Sequence, residues 1–309
     1  MNQTLFLSIV GCANVGKSSI LNRLLGEKVA IVSAKPQTTR TRIMGVLTEG
    51  ERQFVFTDTP GLHRPRTKLG QQMLRAAREG LEGAESCLFV TEAAAPPTLR
   101  PEEESLLHDL KSRKICTILV LNKTDLLQDR GKLAQRIAFL AAQHSFAAVV
   151  PLSAKTGDQF PALRAELIAL FANPAAGAAE GFFFPEDTLT DQPERVLAAE
   201  LLREQLLHAL EQEIPHGIAV FVERMRENET AAGQPLLEID AVIYCERESH
   251  KGMIIGKGGT MLKNVSSRAR AGMEACFACQ VHLQCWVKVK ENWRDREGLI
   301  RSFGLRDAT

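Results

Sequence analysis

No apolar run in this 309-residue chain approaches the 18 or more residues that a membrane-spanning helix needs, which excludes an ordinary helical membrane protein. Met1 to Val10 lacks the basic start and long apolar stretch of a secretory signal, so a reducing, cytoplasmic setting is expected. An excess of either charge is also missing. Lys and Arg number 38 against 37 Asp and Glu, for a net charge of +1, so no global positive field draws the whole molecule onto a polyanion. The 45% hydrophobic and 24% charged content excludes disordered, collagen-like and disulfide-scaffold classes. At roughly 150 residues per domain, the length suggests two domains, each able to bury a core.

In that compartment the seven cysteines read as free thiols. Cys276, Cys279, His282 and Cys285 recur at intervals of three, a spacing that invites a zinc reading. However, Gln280 to Lys290 alternates like a strand, which sends His282 and Cys285 to opposite faces and argues against a shared metal.

From Leu5 to about Phe171, β-rich runs at 5–10, 53–58, 85–92, 114–122 and 147–153 alternate with amphipathic stretches at 17–25, 68–81, 102–110, 132–142 and 160–170. That alternation predicts an α/β domain, a mostly parallel sheet with helices on both faces and ligands at the carboxyl ends of the strands. The first strand runs into Gly11, Cys12, Ala13, Asn14, Val15, Gly16, Lys17 and Ser18, a G-x-x-x-x-G-K-[ST] loop at a strand-to-helix junction. Its amides and helix N-terminus suit phosphate oxygens, Lys17 suits the outer phosphates, and Ser18 offers an oxygen to magnesium. Asp58, Thr59, Pro60 and Gly61 follow a later strand and pair a magnesium carboxylate with a glycine amide able to sense the terminal phosphate.

Asn122, Lys123, Thr124 and Asp125 select the base. The Asp125 carboxylate can accept both the ring N–H and the exocyclic amino group of guanine, whereas adenine would leave it unpaired at a cost of about 1–3 kcal/mol. Lys123 is expected over the base, Asn122 to tie the loop, and Ser153, Ala154 and Lys155 to bring amides near the guanine carbonyl. Leu62 stands directly after the D-x-x-G motif, where Ras-like GTPases use a water-positioning glutamine. Leucine can neither donate nor accept, so the attacking water must be ordered by something else.

The order GCANVGKS, DTPG, NKTD, SAK resembles translation-factor-class GTPases, and Pro36 to Arg40 resembles the switch I of the Era family. The resemblance implies that Thr39, in preference to Thr38, completes a magnesium shell with Ser18 and Asp58, and that Lys17, Asn14, Thr39 and Gly61 serve hydrolysis. Asn14 matches an asparagine that coordinates potassium in related GTPases; capping of the loop is the alternative role. Ala13 stands where those relatives have proline, which removes no ligand.

NPAAGAAE at 173–180 breaks the pattern, so the first domain is placed at 1–173, a junction at 174–193 and a second domain at 194–309. The Phe182 to Phe184 run is expected to be packed between domains, since a solvated run of three phenylalanines would invite aggregation. A leucine-rich helix at 196–210 and strands at 217–227 and 236–246 precede Ile255, Gly256, Lys257, Gly258 and Gly259, an I-G-x-x-G loop with helix-like flanks and a strand at 281–290. This is the arrangement of a type II KH domain, whose loop clamps a nucleic-acid backbone. Lys251, Lys263 and Arg268 extend the expected RNA surface, with Arg270 nearby, while Trp286 reads as packing.

FPEDTLTDQPER, IIGKGG and VHLQCWVKVKENWR also resemble the Era family, so the likeness covers nearly the whole chain. It implies a monomeric GTPase that binds the 3′ end of small-subunit ribosomal RNA, assists small-subunit maturation, and contacts the inner membrane peripherally in some relatives. Competing readings are an RNA-binding module with GTP as a structural ligand, and a GTPase whose second domain binds protein. The net charge resolves into +5 for residues 1–180, −10 for 181–246 and +6 for 247–309, so the basic block coincides with the glycine loop.

Overall fold

The structure, a computed structural model, describes residues 1–211 and 214–305, and its contacts divide into two compact units. The first comprises residues 1–30, 39–66 and 70–191; the second comprises 31–38, 67–69 and 192–309.

In the first unit, β1 (Gln3–Val10), β2 (Ile43–Glu49), β3 (Arg52–Asp58), β4 (Ser86–Glu92), β5 (Cys116–Asn122) and β6 (Ala148–Pro151) form a sheet in the order β2-β3-β1-β4-β5-β6. All neighbours pair in parallel except β2, which runs antiparallel to β3 at the edge. Sequence periodicity does not reveal β2, because Gly45 interrupts its short apolar run. Helices α1 (Lys17–Leu25), α2 (Lys68–Glu79), α3 (Pro101–Ser112), α4 (Arg130–Gln143) and α5 (Phe160–Ala169) connect the strands.

Alternate residues of the central strands enter different cores. Leu88, Val90, Ile118 and Val120 join Ile20, Leu21, Leu163 and Leu167 beneath α1 and α5. Cys87, Phe89, Leu119 and Leu121 join Leu106, Leu110 and Leu140 beneath α3 and α4. Burial on both faces explains why these strands read as continuous apolar runs. The strands therefore present Gly11, Asp58, Glu92, Asn122 and the 152–155 loop at one edge of the sheet, at their carboxyl ends.

A two-residue strand, β7 (Ala179–Glu180), pairs antiparallel with the start of β1, and residues up to Asp191 pack with this unit. The three phenylalanines differ from expectation: Phe183 is 57% exposed. Its ring meets the edge of Phe6, at 5.1 Å between centroids. The run is held by its backbone instead, since the Phe183 and Phe184 amides donate to Gln53 Oε1 at 3.0 and 3.1 Å and Gln53 Nε2 donates to the Phe184 carbonyl at 2.9 Å.

The second unit contains α6 (Glu194–Ala209), β8 (Ala219–Glu229), β9 (Pro235–Cys245), α7 (Glu248–Ile255), α8 (Thr260–Phe277), β10 (Gln280–Val289) and α9 (Glu297–Ser302). Its sheet has the order β10-β9-β8, with β9 antiparallel to β8 and parallel to β10. Leu201, Leu202 and Leu206 of α6 share a core with Val265, Ala269 and Met273 of α8 and Ile239, Ala241 and Ile243 of β9.

Trp286 is 43% exposed rather than packed, because Val281, Leu283, Cys285, Val287 and Val289 supply the core-facing side of β10. The same alternation leaves His282 exposed and turns Cys285 toward the core, and no cluster suited to a metal occurs among the described residues. Among those residues, no helix is long and apolar enough to cross a membrane.

Trp293 is fully buried, its Nε1 donating to the Gly217 carbonyl at 2.8 Å while its ring meets Phe303 edge-on at 5.5 Å. Trp293→Phe keeps most of the ring but leaves that carbonyl unpaired. It should cost about 1–2 kcal/mol, read as a lower denaturant midpoint by circular dichroism; an unchanged midpoint would contradict the assignment.

Candidate functional site

The loop after β1 leads into α1 through Asn14 and Gly16, both with positive φ, at 65° and 98°. A Cβ at Gly16 would lie 2.1 Å from Asn122 Nδ2, so the approach of the two loops requires glycine here. Asn122 binds both neighbours: its Nδ2 donates to the Val15 carbonyl at 2.8 Å, and its Oδ1 accepts from the Ala154 amide at 2.9 Å. One buried side chain thus ties the phosphate loop, the base-reading tetrad and the 153–155 loop together. Asp125 Oδ1 accepts from Ser153 Oγ at 2.6 Å, which orients the carboxylate. Lys123 has a left-handed φ of 66° and its ammonium pairs with Glu92.

Lys17 is buried, and its Nζ donates to the Gly11 and Cys12 carbonyls at 3.2 and 3.0 Å. Burial holds its pKa below the usual lysine value, opposed by the charge of Asp58. Asp58 is also fully buried, and burial pushes its pKa up to about 6, offset in part by Lys17. Ser18 Oγ donates to Asp58 Oδ2 at 2.5 Å and lies 2.8 Å from Thr39 Oγ1. Asp58 Oδ1 is buried with no hydrogen-bond partner. Three oxygen-bearing side chains converging around an unsatisfied carboxylate oxygen fit a hard divalent cation such as magnesium. Thr38, by contrast, turns its hydroxyl to the Lys35 carbonyl at 2.7 Å.

Leu62 contributes through its backbone: its amide donates to the Gly11 carbonyl at 3.1 Å, and its carbonyl accepts from the Ala13 amide at 3.3 Å. Thr59 Oγ1 donates to the Ile9 carbonyl at 2.9 Å. The segment from Asp58 to Leu62 is thereby stitched to the phosphate loop, with Pro60 and Gly61 between the anchors. His63 Nδ1 lies 2.9 Å from the Gly61 carbonyl.

Three contributing residues escape sequence reasoning. Arg23 of α1 donates to the Ala154 and Lys155 carbonyls at 2.9 and 3.1 Å, while Glu92 and His63 belong to no motif. A cation within the helix beyond the phosphate loop or an acid ending a strand carries no periodic signal. Only the sheet's register brings Glu92 opposite Asn122.

In the second unit, α7 ends at Ile255 and the chain turns through Gly256, Lys257, Gly258 and Gly259 into α8. Gly256 has φ 73°, and a Cβ there would lie 2.7 Å from Met261 Cβ, so this turn also depends on glycine. No atom lies within 4 Å of a Cβ built at Gly258 or Gly259, which leaves the loop's outer side open. Lys257, Lys263 and Arg268 are exposed around it, whereas Lys251 is half-buried and lies 3.9 Å from Glu248. Backbone N–H groups, open glycines and exposed cations on one loop and the following helix suit a phosphodiester backbone.

A proton on Asp58 competes with a cation. Magnesium affinity of the nucleotide-free protein should therefore fall about tenfold per pH unit below about pH 6 and level off above it. Titration calorimetry between pH 5 and 8 reads this directly; a flat profile would contradict the site.

Residues 6–123 match the family described as "50S ribosome-binding GTPase", and residues 213–294 match the KH domain family. GTPase Era of Clostridioides difficile (strain 630) is 44% identical over 302 residues, covering 98% of both chains. GTPase Era of Caldanaerobacter subterraneus subsp. tengcongensis is 41% identical over 300 residues, covering 97% of this chain and 96% of the other.

Among solved structures, a single-residue variant of Aquifex aeolicus Era bound to GDP·AlF4− superposes with a TM-score of 0.88 at 36% identity, covering 98% of this chain and 99% of the other. Era in complex with MgGDPNP and nucleotides 1506–1542 of 16S ribosomal RNA also gives 0.88, at 35% identity, covering 99% and 100%. With the nucleotide-shaped loop cluster, the KH turn and full-length likeness in agreement, this chain belongs to the Era family of GTPases.

Proposed function

We propose that this protein is a magnesium-dependent GTPase that binds the 3′ end of small-subunit ribosomal RNA through its KH loop and assists maturation of the small ribosomal subunit. The observation that carries the nucleotide half is the unsatisfied Asp58 carboxylate oxygen beside Ser18 and Thr39, with the buried Lys17 ammonium on the same loop. The RNA half rests on the open, basic glycine loop, and on a relative captured with MgGDPNP and nucleotides 1506–1542 of 16S ribosomal RNA.

In this reading Gly11 to Ser18 cradle the phosphates, Asp125 accepts from guanine, and the Ala154 region approaches the guanine carbonyl. Ser18, Thr39 and Asp58 hold magnesium, which when bound offsets charge on the β- and γ-phosphate oxygens. Water attacks the γ-phosphorus, the bond to the β–γ bridging oxygen breaks, and GDP and phosphate leave. Lys17 stabilises the charge that builds on the transferred group, and the Gly61 amide senses its presence. Leu62 cannot orient the water by its side chain. Asn14, exposed on the loop with a positive φ, would hold a potassium ion, which would supply positive charge near the phosphates. Equal hydrolysis rates in potassium and sodium buffers would remove that last element.

The RNA reading is tested with a 16S fragment spanning the 3′ end. Lys257→Asp with Gly258→Asp, an exposed side chain and a glycine with open space around an added Cβ, should abolish its gel-shift complex, because the added carboxylates repel phosphate, while GDP affinity stays unchanged. Retention of the complex would favour a second domain that binds protein.

A further inference from the structure

We propose that Glu92 is a positioning residue for guanine recognition, acting through Lys123; the inference rests on the reading of the Asn122 to Asp125 tetrad as the base site. Glu92 is the last residue of β4 and stands directly across the ladder from Asn122. The main chain locks the two strands at this point, the Ala93 amide donating to the Asn122 carbonyl at 2.8 Å. Glu92 is thus fixed by a central strand of the sheet, whereas Lys123 is the first residue of a loop. Its carboxylate pairs with the Lys123 ammonium, with both side chains about one-third exposed.

The chemistry of the pair follows from what a lysine over a base must do. A free ammonium on four rotatable bonds samples many directions, and ordering it when the nucleotide arrives costs binding free energy. An anchor on its head removes that cost in advance and leaves the methylene stem, the only apolar part, as the surface that the ring can cover. The left-handed backbone at Lys123 fixes where the side chain leaves the loop, and Glu92 fixes where it ends. Asn122 and Asp125 already have partners of their own, Val15 and Ala154 for the first and Ser153 for the second. Lys123 is the member of the tetrad oriented from a different strand. In this proposal Glu92 acts on the base only through its pair with Lys123.

A double-mutant cycle on GDP and GTP affinity reads this directly. Glu92→Ala should weaken both nucleotides by the same factor, about 3- to 10-fold, because the base is common to both. In a Lys123→Ala background the same change should have less than about a twofold effect. Glu92→Gln, which keeps the shape and an acceptor without the charge, should lose part of the affinity and report on Glu92 independently of any misfolding of the alanine variant. Unchanged affinity in Glu92→Ala and Glu92→Gln, or an equal loss with and without Lys123, would overturn the proposal. Asp125→Asn separates the two levels: if it leaves guanine-nucleotide affinity intact, the base-site reading fails rather than the link between Glu92 and Lys123.

Discussion

The nucleotide-binding unit is organised around two buried charges of opposite sign, Lys17 and Asp58, neither of which is fully satisfied by the protein alone. Lys17 meets carbonyl oxygens and Asp58 meets hydroxyls, with one carboxylate oxygen left unpaired. Burial lowers the pKa of the lysine and raises that of the aspartate, which is the signature of charged groups removed from water ahead of their counterions. A polyphosphate with a divalent cation supplies both missing partners at once. The remaining architecture, strands ending at one edge and loops stitched by Asn122 and Leu62, keeps those two charges in place without closing the gap between them.

The second unit solves a different electrostatic problem. A near-neutral chain cannot rely on bulk attraction to find RNA, yet within the second unit residues 247–309 carry +6 and residues 192–246 carry −7. In the proposed RNA reading, the cations beside the open glycine turn give phosphate a local destination, while the acidic block discourages association elsewhere on the domain. The turn depends on Gly256, where a side chain would collide with Met261, and its outer side stays unobstructed at Gly258 and Gly259.

Much of this was legible in the sequence, and the physical reason differs by element. The phosphate loop, D-x-x-G, N-K-x-D and S-A-K segments are each local in the chain and follow strands, so spacing alone reveals them. Buried central strands announce themselves as apolar runs, but the edge strand β2 does not, because Gly45 breaks its pattern. Phe183 and Trp286 misled for a related reason: apolarity predicts burial on average, whereas backbone pinning by Gln53 holds one exposed and strand alternation leaves the other outside the core. Arg23 and Glu92 were illegible because their partners come from elsewhere in the fold and no motif contains them, and His63, whose partner Gly61 is only two residues away, stands just outside the D-x-x-G motif.

The first unit carries a site matched in charge and geometry to magnesium and a guanine nucleotide. Thermal unfolding of the full chain with magnesium plus GTP, and separately with magnesium plus ATP, tests it most directly. At a ligand concentration of about 100 times the dissociation constant, GTP should stabilise the unit by roughly 2.7 kcal/mol and raise its midpoint, while ATP at the same concentration should leave it unmoved. Equal stabilisation by the two nucleotides would contradict guanine reading by Asp125, and stabilisation by neither would contradict the phosphate and metal site.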